Sequence, residues 1–73
     1  MTNTFSRFQS RRDKALTGFR PTDPAAFNDF TRAVSCNAAT GHVRVIGTAV
    51  YVPNFAADKI EAHLTARMGW TLE

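Results

Sequence analysis

The only cysteine in this 73-residue sequence is Cys36, so the chain cannot form an internal disulfide. A small domain without disulfides is hard to hold together outside the cell, and this points to the cytoplasm. The longest apolar run, residues 45–52, is far shorter than the roughly 20 residues that a membrane helix needs. Charged residues near the amino terminus replace the apolar run of a secretory signal. With Met1 at its head, the chain reads as a complete gene product used inside a cell and not inserted in a membrane.

Other absences narrow the chemistry. The metal-ligating candidates are Cys36, His42, His63 and scattered carboxylates, and no pair of them has the spacing of a zinc site. Cys36 follows the end of an expected helix, where the dipole disfavours a thiolate. The six acidic residues form no close pair suited to general acid–base work. The four glycines, at positions 18, 41, 47 and 69, are isolated, so no phosphate-cradling loop is present. The reading is a chain that is not an enzyme, with no cofactor and no metal.

What the sequence does have is enough apolar material for one core. Apolar residues make up 44% and include six phenylalanines, well above the range of disordered chains. A domain of this size hides only about 60% of the surface that its unfolded chain exposes, so residues 1–73 are one domain. Charge is uneven. Residues 1–20 hold Arg7, Arg11, Arg12, Lys14 and Arg20 against Asp13 alone, whereas residues 21–73 carry four basic and five acidic groups. The basic segment is a partner-seeking surface on a nearly neutral body.

The spacing of Phe5, Phe8, Ala15 and Leu16 predicts a first helix over 4–17, terminated by Gly18, with Arg7, Arg11 and Lys14 in a stripe opposite the apolar face and Arg12 on the apolar side. Phe19-Arg20-Pro21 then connects to the body. Asp23 as cap and Pro24 at the first helical position start a second helix over 24–35, with Phe27, Phe30 and Val34 as its buried stripe. Two strands follow, 42–46 and 49–53, joined by Gly47-Thr48 in a type II′ turn. In that register Val45 faces Val50 and Val43 faces Val52, so four valines share one side, while His42, Arg44, Ile46, Ala49 and Tyr51 lie on the other. Asn54 caps a third helix over 55–68, Gly69 ends it, and Trp70 packs back onto Leu64, with a short last strand at 70–72 as an option. The expected fold is therefore α+β, in the order α-α-β-β-α. Its two-stranded antiparallel hairpin packs on helices and leaves one side open.

Two surfaces could bind a macromolecule. The basic stripe of Arg7, Arg11 and Lys14, with Arg12 and Arg20 nearby, could follow a phosphate backbone. The open hairpin side sets Arg44 across from Tyr51, two residue types common at the energetic centre of protein interfaces, with Ile46 and His42 beside them. An uncovered sheet side in so short a chain is a partner site or the seam of a homodimer.

In size and character the chain resembles the small inhibitors carried by phages and other mobile elements, anti-CRISPR proteins in particular. That resemblance covers the profile and no individual residue. It implies a non-enzymatic inhibitor that binds a host protein complex, such as a CRISPR effector, and blocks its engagement with DNA. Many such inhibitors are acidic mimics of nucleic acid, whereas this chain is basic at its start, which favours occlusion over mimicry. The alternative is a small DNA- or RNA-binding regulator that uses the basic amino-terminal helix.

Overall fold

The computed structural model describes residues 3–35 and 43–73, and builds on them a five-stranded mixed sheet with two helices packed on one face. Strand β1 (Thr4–Gln9) pairs antiparallel with β2 (Leu16–Pro21); a 3-10 turn at Pro24–Ala26 leads into α1 (Phe27–Ser35). The hairpin of β3 (Arg44–Ile46) and β4 (Ala49–Pro53) follows, then α2 (Asn54–Ala66) and a two-residue β5 (Thr71–Leu72). The strands lie in the order β3-β4-β2-β1-β5, with only β5 parallel to its neighbour.

The amino-terminal helix expected over 4–17 does not exist, and the order α-α-β-β-α is thereby corrected to β-β-α-β-β-α-β. Phe5 and Phe8, three apart, read as one face of a helix. In a strand the same spacing sends them to opposite faces, and here both faces take an aromatic ring. Phe5 is fully buried under the helices, while Phe8 lies on the other side over Gly18, its cross-strand partner. Ser10 and Asp13 break the chain between the strands. The Asp13 N–H donates to Ser10 Oγ at 3.2 Å, and the Ala15 N–H donates to Asp13 Oδ1 at 2.9 Å. Such side-chain bonds offer the backbone an alternative to helix, and Thr4, Phe5, Thr17 and Phe19 suit a pleated surface.

Several other expectations hold. Asp23 Oδ1 accepts from the Ala25 N–H at 2.9 Å, so Asp23 and Pro24 do start the second segment, though its first turn is 3-10. The hairpin register is as expected, with Arg44 opposite Tyr51, Val45 opposite Val50 and Ile46 opposite Ala49. Gly47 has φ +61°, and no residue other than glycine has positive φ among the described ones, which agrees with a II′ turn. Gly69, at φ +76°, lets the Trp70 N–H reach the Leu64 carbonyl at 2.9 Å.

The core lies between the sheet and the helices. Phe5, Phe19 and Phe30 are fully buried along with Val34, Val50, Val52, Ile60 and Leu64. The Phe30 ring meets Trp70 edge to face, centroids 5.0 Å apart, and is tilted against Phe5 at 5.7 Å. The hairpin is thus not a free ribbon. Strand β4 sits inside the sheet, and β3 is its edge, leaving Val45 half exposed beyond the helices. Among the described residues, no helix is long and apolar enough to cross a membrane.

Candidate functional site

With both helices on one face, the residues that alternate away from the core form a second face, which no other described element covers. Phe8 from β1, Leu16, Gly18 and Arg20 from β2, Tyr51 from β4, and Arg44 and Ile46 from β3 all alternate to it. The registers align Phe8, Gly18, Tyr51 and Arg44 in one row across four strands. Strands β1 and β4 are two strand spacings apart, about 9.6 Å. Yet the Phe8 and Tyr51 ring centroids come to 5.9 Å at an interplanar angle of 89°. Gly18, between them, makes this possible: a Cβ there would overlap the Phe8 ring. The glycine expected to end a helix is instead a mid-strand seat for an aromatic pair.

Cations surround the pair. The Arg20 guanidinium lies 5.1 Å from the Phe8 ring centroid, and Arg44 stands opposite Tyr51. The turn between β1 and β2 adds Arg11 and Arg12. Together these side chains line a groove of about 780 Å³ that also takes in Leu16 and Ile46. Arg11, Arg12, Arg20 and Arg44 are all exposed, and among the described residues the only ion pairs are those of Arg7. Asp13 is the one acidic residue lining the groove, and its Oδ1 is engaged by the Ala15 N–H. A concave basic face with rings at its centre remains.

The turn that carries Arg11, Arg12 and Lys14 is tied down. Asn54 was expected to cap α2, but it makes no cap bond. Its Nδ2 donates to the Lys14 carbonyl at 2.6 Å, its Oδ1 accepts from Thr17 Oγ1 at 2.6 Å, and its backbone N–H donates to the Ala15 carbonyl at 2.8 Å. Gln9 Nε2 adds bonds to the Lys14 and Leu16 carbonyls at 3.0 and 2.7 Å. A cation on a fixed turn loses less freedom on binding than one on a loose tail.

The basic stripe expected on a helix is dispersed. Arg7 points to the helix side and donates to Asp58 and Glu61 of α2 at 2.9 and 3.0 Å. These hydrogen bonds, that to Asp58 foremost, hold its guanidinium above its ordinary pKa. Arg7 therefore ties β1 to α2. Arg11 and Arg12 join Arg44, Ile46 and Tyr51 at the groove, while Lys14 is exposed on the same turn but outside its lining. His42 and Cys36 lie outside the described residues. Phe8, Gly18 and Arg20 were not singled out for the hairpin side. The signal was the alternation Leu16-Gly18-Arg20 against Thr17-Phe19-Pro21, together with the turn formers Ser10 and Asp13.

Among the described residues no group of three or more His, Cys, Asp or Glu could hold a metal. His63, half buried on α2, has an Nε2 that is buried without a partner. No protein-family model, curated protein or solved structure matches the chain.

Proposed function

We propose that this protein is a non-enzymatic, cytoplasmic nucleic-acid-binding module whose working surface is the open face of the sheet. The observation that carries this reading is the alignment of Phe8, Gly18, Tyr51 and Arg44 in one row, flanked by Arg20 and by Arg11 and Arg12 on the adjoining turn. Arginines free of ion pairs supply the phosphate contacts that dominate such affinity. The rings give bases a surface on which to lie. Helix α2 is poorly suited to the same task, because it carries Asp58 and Glu61 against Lys59 alone. The basic amino-terminal segment keeps a part, through Arg11 and Arg12 on a turn and not through a helix.

Anisotropy of a labelled oligonucleotide tests the reading. If the four arginines each engage one phosphate of a single strand, log K should fall against log salt with a slope of about −3. Affinity independent of salt, or none at low salt, would overturn it.

A second reading is the inhibitor of a host protein complex, a CRISPR effector being the type that the chain's profile suggests. Its support is apolar: Ile46 is 52% exposed beside Leu16 and Tyr51, and tyrosine and arginine anchor many protein interfaces. Binding to a purified effector by a protein that ignores nucleic acid would favour it.

A further inference from the structure

We propose that the strand bound on this face is unpaired, and that its bases stack at the Phe8–Tyr51 pair while its phosphates run along the surrounding arginines. This rests on the reading just given and says which form of nucleic acid the face takes.

The first argument is the order of chemistry across the face. Its centre is aromatic, with Phe8 and Tyr51 edge to face over a residue without a side chain, and its margin is cationic, with Arg11, Arg12, Arg20 and Arg44. A single strand can turn its bases inward and leave its phosphates outside, which matches that order. A duplex does the reverse. Its bases are hidden in the stack, so phosphates would have to approach the rings and would lose water without gaining a partner.

The second argument is width. The face from β3 to β1 crosses four strands, about 14 Å at ordinary strand spacing. The major groove of B-DNA, about 12 Å wide, admits a helix or a two-stranded ribbon. Both helices lie on the other side of the sheet, and the β3–β4 hairpin is not a free ribbon, because β4 is also paired with β2. Neither a helix nor a free two-stranded ribbon is available on this face among the described residues.

The third argument is the support behind the rings. Tyr51 is half buried, its ring held by the edge-to-face contact with Phe8, and the Phe8 ring rests over Gly18 with the Arg20 guanidinium 5.1 Å from its centroid. Rings already fixed in place lose little freedom when a base is laid on them. Stacking of this kind accepts any base, because every base has a π-face. The face should therefore bind single strands with little regard to sequence.

Three probes of equal length separate the possibilities: a ten-nucleotide oligothymidylate, the same backbone without bases, and a ten-pair duplex, each measured by anisotropy at fixed salt. The expected result is that oligothymidylate binds at least about 10-fold more tightly than either of the other two. Tyr51→Ala should weaken oligothymidylate about 10-fold and bring it close to the abasic strand, and Tyr51→Phe should keep wild-type affinity, circular dichroism confirming that both variants fold. Equal affinity for the oligothymidylate and the abasic strand would overturn base stacking and leave the nucleic-acid reading standing. A duplex bound as tightly as the single strand would overturn the unpaired form. Failure of all three probes to bind would reject the nucleic-acid reading itself. The wild-type comparison decides the matter even if a variant fails to fold.

Discussion

Phe30→Ala is expected to remove a large share of the protein's stability, about 3–5 kcal/mol, because the ring is fully buried and its truncation leaves a cavity in the core. Phe5 and Trp70 press on that ring from the sheet and from the segment after α2, at 5.7 and 5.0 Å, so one truncation loosens three elements at once. At roughly 0.05–0.15 kcal/mol per residue, a 73-residue domain holds about 4–11 kcal/mol in all. Urea unfolding should show the midpoint falling toward zero for Phe30→Ala, whereas Phe30→Leu should keep most of the stability. A loss below about 1 kcal/mol would mean that α1 does not close the core in the way described.

The second large effect is on binding. Replacing Arg20 and Arg44 together by glutamate should weaken oligonucleotide affinity by more than about 100-fold near 0.1 M salt, since each change removes a phosphate contact and adds a repulsion. Both side chains are exposed and form no ion pair, so circular dichroism should stay native, and the thermal midpoint should fall only by the lost Arg20–Phe8 contact, worth about 0.5–1 kcal/mol at an exposed site. Arg7→Ala is the control. It removes a cation that is close in sequence but lies on the helix side against Asp58 and Glu61, so affinity should change less than about twofold and stability by about 1 kcal/mol or less. A double reversal that still binds like wild type, or an Arg7→Ala loss of the same size, would remove the open face from the account.

The contrast between these arginines also marks how far the sequence could be read. Where a local rule decides the structure, the reading held: Gly47 for the hairpin turn, Asp23-Pro24 for a helix start and Gly69 for a helix end are backbone matters settled by one or two residues. The facing of Arg44 and Tyr51 followed from the turn alone. Where strands from distant parts of the chain must meet, local rules were silent. Phe5 and Phe8 sit three apart, and nothing near them says that Gly18 will lie beneath Phe8 or that Thr71 and Leu72 will close the edge beyond β1. Asn54 shows the same limit. Placed to cap α2, it is instead drawn to Thr17 and the Lys14 carbonyl, both more than thirty residues away. The basic segment was read as a stripe because a helix would have gathered Arg7, Arg11 and Lys14 on one side. As a strand and a turn it parts them, sending Arg7 to α2 and Arg11 and Arg12 to the groove. The candidate site was thus half legible: its hairpin half was read from the turn, and its aromatic seat required the tertiary pairing of β1 with β2.

The claim that the open face is the working surface is tested most directly by mapping a bound oligothymidylate onto the protein with amide chemical shifts in a nitrogen-15 NMR titration. Binding there should move the signals of Phe8, Leu16, Gly18, Arg20, Arg44 and Tyr51, together with those of Arg11 and Arg12 on the turn. The exposed sides of α1 and α2 should stay unmoved. Shifts centred on Asp58, Glu61 and the rest of α2, or a titration that moves no signal, would contradict the account.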